Sequence, residues 1–148
     1  GGVINSYYGI AFPNQSGGNT RTVASSTLDA YEEGTFTATM LNDGVGNNAV
    51  GSYVRVGSLV HIQVFLASKT ISSAGAAYVS GLPYSTTSSQ TVGYPIISIL
   101  YNTAVTAFGA YVTSNTMYLI TANSTANANW ITGTGNRDLM LSGTYKIN

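Results

Sequence analysis

Leu59-Val60-His61-Ile62-Gln63-Val64-Phe65-Leu66-Ala67 is the stretch that decides the fold class. Successive side chains of an extended chain point to opposite faces, so Val60, Ile62, Val64 and Leu66 share one side and Leu59, His61, Gln63 and Phe65 the other. The first side is wholly apolar and reads as core. The second is mixed, which places the strand inside a sheet or against another subunit. Gly57-Ser58 just upstream is a two-residue turn, and residues 50–56 before it form the other arm of a hairpin.

The same period of two runs through Thr35-Phe36-Thr37-Ala38-Thr39-Met40, with hydroxyls facing one way and apolar groups the other. Residues 42–48 turn the chain, opening on Asn42-Asp43-Gly44. Downstream, Gly81-Leu82-Pro83-Tyr84 is a break, because proline has no amide to donate to a sheet, and residues 85–91 are a Ser/Thr loop. Three strands follow as a meander over 92–101, 104–113 and 116–122, with turns at 102–103 and 114–115. A polar segment at 123–129 leads to Trp130-Ile131, and residues 138–147 make the last strand. Upstream, residues 7–12 are strand-like, 13–26 are polar and turn-rich, and 27–34 form one helical turn or a sharp corner. The expectation is an all-β chain of about eight to ten strands: an antiparallel β-sandwich, jelly-roll-like, over 35–148, preceded by an extended N-terminal lead-in and framework motif over 1–34.

The composition agrees. The 148 residues are 44% hydrophobic and 7% charged, with 17 Gly and 11 Tyr, a balance that folds and favours strands over helices. Five acids offset five bases, and Arg21, Arg55, Lys69, Arg137 and Lys146 are scattered, so no basic patch exists for nucleic acid or an anionic membrane. The absence of cysteine excludes disulfides and thiolate metal sites. No run of 18 apolar residues suggests membrane insertion, and no basic, apolar leader opens the chain. A start at Gly1-Gly2-Val3 without methionine suggests a C-terminal piece of a longer protein. A surface so poor in charge favours self-association.

Residues 28–39, Leu-Asp-Ala-Tyr-Glu-Glu-Gly-Thr-Phe-Thr-Ala-Thr, resemble the "LDDYEEGTWTPTL" signature near the start of C-terminal, receptor-binding tip domains of bacteriophage tail fibres and related virion proteins. Gly9-Ile10-Ala11-Phe12-Pro13 resembles that family's upstream "GI.F" strand. Residues 51–60 resemble its "G.YTKIGN.V" hairpin, Gly81-Leu82-Pro83-Tyr84 its "GLPF", and Leu141-Ser142-Gly143-Thr144-Tyr145 its closing "SGTY". Ala30, Phe36 and Ala38 depart from it by replacing an acid, a Trp and a Pro. The resemblance implies a trimeric β-sandwich at the distal end of a fibre on the virion, joined to the rest of the fibre on its N-terminal side and recognising a host-surface glycan or outer-membrane protein. It assigns Asp29, Tyr31, Glu32, Glu33 and Arg55 to framework and leaves specificity to loops and strand faces.

Each chemical motif has a plainer counterpart. Glu32 and Glu33 would serve a metal or acid–base site only if they converged, and neighbours on an extended chain point apart. One is expected to pair with an Arg such as Arg55, the other to cap amides or face solvent. His61, the sole imidazole, stands without a Gly-x-Ser-x-Gly elbow and reads as a strand residue. The 43–48 loop has one carboxylate and no closing Glu, so it reads as a solvated hairpin loop and not a calcium loop. Trp130, beside Asn127, Asn129, Thr132 and Asn136, is either a sugar platform widened by Tyr101, Tyr111 and Tyr118 or a core residue. No catalytic group, cofactor or metal is expected. The function expected is non-catalytic receptor binding, with a trimerisation or capping domain as the alternative. A polysaccharide depolymerase is weakest, since it needs paired carboxylates at fixed separation.

Overall fold

The computed structural model describes residues 10–11, 27–28, 31–86, 96–121 and 126–147, and these form ten strands and no helix. β1 (Ile10–Ala11) and β2 (Thr27–Leu28) pair as an antiparallel ribbon. The other eight are β3 (Tyr31–Leu41), β4 (Asn48–Val56), β5 (Leu59–Ile71), β6 (Tyr78–Ser80), β7 (Ile96–Asn102), β8 (Gly109–Thr113), β9 (Thr116–Ile120) and β10 (Gly133–Lys146). The rest of the expected strand over 7–12, the polar stretch over 13–26, Asp29 and the first residues, 92–95, of the expected strand over 92–101 lie outside the described residues.

All eight pair antiparallel in one sheet that closes into a barrel, in the order β10-β5-β4-β3-β6-β9-β8-β7. The all-β, antiparallel expectation holds, but one closed barrel stands where two facing sheets were expected. The reason is β10: its residues 139–146 pair with β5, and residues 139–143 pair on their other side with β7, joining the edges of two meanders. Closure gives each barrel strand a neighbour on both sides, with β6 covering only Thr39–Leu41 of β3. Each meander, β3-β4-β5 and β7-β8-β9, is followed by a strand that returns beside its first member, β6 beside β3 and β10 beside β7, which makes two Greek keys.

The expected corner at 27–34 is absent from its second half. Residues 31–34 are already strand, each paired with β4 from Tyr31↔Val56 to Gly34↔Tyr53. Alternation then fills the barrel: Phe36, Ala38 and Met40 from β3, Val60, Ile62, Val64 and Leu66 from β5, Val112, Met117 and Leu119 from β8 and β9, and Leu139 and Leu141 from β10 are all buried. In β5 the inward set is even-numbered up to Leu66, yet Ile71 is also buried. A bulge explains the change of parity, since Leu66 opposes Leu139 while Lys69 opposes Arg137, leaving one extra residue on β5. Ser68 takes a φ of 51° there and donates its amide to Asp138 Oδ1 at 2.5 Å.

The turn expected at 102–103 is a longer loop, and β8 starts only at Gly109. Asn102 folds it: its Oδ1 accepts the Ala104 and Val105 amides at 3.1 and 3.0 Å, and its Nδ2 donates to the Val105 carbonyl. Ala104 and Val105 are thereby buried as core residues of the loop. β10 begins at Gly133, earlier than the expected 138, because register shifts around Arg137 keep the irregular first third paired to β5.

Candidate functional site on the outer barrel face

The acidic motif is consumed in the frame. Glu32 has the inward parity of β3 and lies where that strand enters the barrel. Its Oε1 accepts the Tyr53 hydroxyl at 2.5 Å and its Oε2 accepts the Tyr84 hydroxyl. Arg55 does not take the expected carboxylate as hydrogen-bond partner; its Nε donates to the Gly57 carbonyl at 2.9 Å and its guanidinium stands 5.0 Å from the centroid of the Tyr84 ring. The phenols of Tyr53 and Tyr84, with a smaller contribution from the Arg55 charge, hold the Glu32 carboxyl below its ordinary pKa, and the same bond to Glu32 raises that of Tyr53. The Tyr84 amide donates to the Tyr145 hydroxyl at 3.3 Å. Gly34 gives the Tyr53 ring room in this knot, since a Cβ there would sit 3.0 Å from the ring and press it aside. Glu33 points outward, as alternation demands, and accepts the Tyr31 hydroxyl at 3.1 Å. So the four stretches around Glu32, Tyr53, Tyr84 and Tyr145 that carry the family resemblance meet at one end of the barrel.

The 43–48 loop is exposed as expected, but the Asp43 side chain folds back and is buried. Its carboxylate accepts the amides of Val45, Gly46 and Asn47 at 3.0, 2.7 and 3.0 Å and the Asn47 side chain at 2.5 Å. Burial pushes its pKa up, but the bonds from Gly46, Asn47 and Val45 outweigh this and hold the carboxyl below its ordinary range. A carboxylate already satisfied by four donors has little left for a cation, and among the described residues no three His, Asp or Glu side chains come together. His61 lies on the outer face of β5, its Nδ1 3.1 Å from the Thr144 hydroxyl.

The residues proposed as a sugar platform do not assemble. Trp130 is 2% exposed, with its indole N–H donating to the Leu41 carbonyl at 2.6 Å and its amide to Gly75, so it plugs the end of the barrel opposite the Glu32 knot. Its ring faces are unavailable for stacking. Asn129 is exposed on the adjoining loop. Tyr111 and Tyr118 pair across β8 and β9, and Tyr118 pairs with Tyr78 on β6. The Tyr111 and Tyr118 rings are parallel within 10° at 5.1 Å, and Tyr78 and Tyr118 are 4.8 Å apart. Rings stacked so closely spend their faces on one another and stiffen the sheet, presenting mainly edges outward. Tyr101, near the far end of β7, belongs to a different patch beside Met140.

That patch adjoins a depression on the outside of the barrel, of about 390 Å³, spanning β3, β4, β5, β10 and β7. Register sets a neutral polar row along it, Thr35↔Ser52↔Gln63↔Ser142. Val50, Phe65, Leu100 and Met140 form its apolar wall, and Val50, Phe65 and Leu100 are 70%, 45% and 61% exposed. None of the four polar side chains hydrogen-bonds to another described group. Among the described residues no charged side chain lines the depression.

Compared with family models, curated proteins and solved structures, the chain matches none. The site is therefore defined by its own geometry.

Of its lining, sequence reasoning had isolated only the mixed outer face of β5 that carries Gln63 and Phe65. Thr35, Ser52, Ser142 and Leu100 fall beside them through inter-strand register, and the closing β10 supplies one side of the site. The available signal was the outward half of each alternating strand, residues that patterning assigns to solvent and does not rank.

Proposed function

We propose that this chain is a non-catalytic receptor-binding tip of a bacteriophage tail fibre, acting on the virion surface during host attachment. The observation that carries this reading is the division of polar groups. Glu32 and Asp43, at opposite ends of the barrel, are committed to internal hydrogen bonds, whereas the polar side chains Thr35, Ser52, Gln63 and Ser142, which bond no other described group, lie together on the outer face. A rigid closed frame with its adaptable chemistry outside suits adhesion better than turnover. The barrel interior is filled by apolar side chains and the outer face mixes hydroxyls with apolar groups, unlike a membrane-spanning barrel with its polar lumen, which supports a module working in water. Convergence of the signature stretches on one structural knot supports the fibre resemblance, and the two Greek keys support reading the barrel as related to a jelly roll. The ligand class in this reading is a host-surface glycan or outer-membrane protein.

A second reading rests on a different band of the same outer face. Tyr31, Val56 and Leu59 are register neighbours and are 68%, 39% and 53% exposed. Such a row favours burial between copies, so a homotrimer in the intact fibre accompanies the recognition role or, in the alternative, constitutes the whole role as a trimerisation or capping domain. Staining a panel of bacterial strains with the fluorescently labelled chain separates the two. Selective staining and competition with phage adsorption support recognition; a well-folded oligomer that stains no strain and blocks no adsorption leaves only the structural role. Release of reducing ends from host polysaccharide would overturn the non-catalytic reading.

A further inference from the structure

We propose that the depression across β3, β4, β5, β10 and β7 is a binding site for an uncharged saccharide of at least two sugar units, an inference that rests on the recognition reading and narrows its ligand. Four features point to that class. The polar row offers three hydroxyls and one primary amide, each able both to donate and to accept, which is what the hydroxyls of a sugar require of their partners. These groups are unpaired within the described chain, so a ligand gains hydrogen bonds without breaking internal ones. Adjacent strands lie about 4.8 Å apart, so the row from Thr35 to Ser142 spans roughly 14 Å, longer than one pyranose ring. Beside the row stand the half-exposed Phe65 ring and the aliphatic Val50 and Leu100, a surface for the C–H face of a sugar.

Charge narrows the class further. A sulfated or sialylated glycan would need a cation in the lining, and a cationic ligand a carboxylate; among the described residues the lining holds neither. A second copy of this chain is the weaker occupant, because burying the depression against protein would require new partners for four polar side chains at once, whereas the Tyr31–Val56–Leu59 band carries no such demand. The volume of about 390 Å³ falls within the range of small-ligand sites.

The test uses the full chain against a printed array of neutral oligosaccharides and of their sialylated and sulfated counterparts, followed by an amide NMR titration with the neutral oligosaccharide giving the strongest array signal. The expected result is binding to uncharged members, with shifts centred on Ser52, Gln63, Phe65 and Ser142. Phe65→Ala is expected to weaken binding at least tenfold. Leu100→Arg, at an exposed position where folding is not at stake, is expected to weaken it similarly, and Leu59→Ser to leave it unchanged. Shifts centred on the Tyr78–Tyr118–Tyr111 row, retention of affinity in both depression variants, a preference for acidic glycans, or protection of the depression amides that grows with protein concentration would each overturn the proposal. So would silence of the whole array. If the wild-type chain stains cells and both depression variants stain equally well, the depression is wrong while recognition stands. If the wild-type chain stains no strain, recognition itself falls.

Discussion

Replacing Asp43 with Ala removes the acceptor for three backbone amides and one side-chain amide while leaving those donors in place. Hydrogen bonds to a charged acceptor contribute about 1.5–3 kcal/mol each, but the loop around Gly44 and Gly46 is exposed and water replaces part of what is lost. The expected net cost is therefore about 3 kcal/mol, toward the value of one or two such bonds and well short of four. For a domain of this size that corresponds to a fall in Tm of roughly 6–12 °C. The pH dependence gives a sharper check. The folded-state pKa of Asp43 is held below its unfolded value, so its stabilisation is fully present above about pH 4, the usual unfolded value, and is lost as pH falls through the folded value. The wild-type advantage over Asp43→Ala in thermal melts followed by circular dichroism is expected to be constant from pH 7 to about 5 and to shrink below about 4. Millimolar calcium is expected to leave the wild-type melt in place. A variant gap of under about 1 kcal/mol, a gap independent of pH, or a calcium-dependent rise in Tm would refute the account of this loop.

Three further outcomes follow from the frame. Gly81 has a φ of 93°, and a Cβ there would lie 2.0 Å from the Thr37 carbonyl oxygen, so Gly81→Ala is expected to destabilise by at least about 2 kcal/mol in urea titration. Trp130→Phe loses the indole bond to Leu41 and part of the end plug; it is expected to cost about 2–3 kcal/mol while leaving strain staining per folded molecule unchanged. Burial pushes the Tyr145 phenol up to about 12, above its unfolded value near 10, so stability is expected to fall as pH rises from about 10 toward 12, and Tyr145→Phe to remove part of that slope in alkaline melts.

What was legible in the sequence was whatever local alternation controls. The 59–67 stretch named the inward Val60, Ile62, Val64 and Leu66 and flagged a second, mixed face, and Gly57-Ser58 marked the hairpin turn correctly. The 35–40 alternation likewise gave Phe36, Ala38 and Met40 as core. Closure was not legible, because whether β10 meets one neighbour or two depends on pairings some 40 and 75 residues away in the chain, and nothing in residues 133–146 encodes both. The bulge at Ser68 was hidden for a related reason: its pin is the Asp138 carboxylate, 70 residues on. Trp130 shows the limit for sites. Its polar neighbours suggested a surface, but Asn129 alternates outward while Trp130 turns in to bond Leu41, and only the path of the loop decides between them.

The acids drew attention because carboxylates carry chemistry, and the fold explains why that signal misleads here. A closed barrel has ends as well as a wall, and side chains of inward parity at an end cannot all be apolar without leaving strand termini poorly fixed. Glu32 at one end ties β3 to β4 through Tyr53 and to the segment after β6 through Tyr84, while Asp43 at the other end ties the β3–β4 loop together and its carbonyl receives the amides of Ser72 and Ser73 after β5. Charge is thus spent where three segments must be held in register, and the Thr35–Ser52–Gln63–Ser142 row of the wall between is left neutral. A neutral wall built of register rows has a consequence for recognition: substituting one outward residue alters one point of a row without touching the core beneath it, since the inward partner set is separate. Thr35, Ser52, Gln63 and Ser142 are free to vary in that sense, whereas Glu32, Gly34, Tyr53, Gly81 and Tyr84 are not. In the proposed attachment role such a surface lets the ligand change while the frame is fixed, and an outer-face exchange such as Gln63→Asn is expected to shift saccharide preference on the array with a melting temperature unchanged within about 1 °C, that is, well under 1 kcal/mol. A loss of stability comparable to Gly81→Ala at Gln63 would show that wall and frame are not separable.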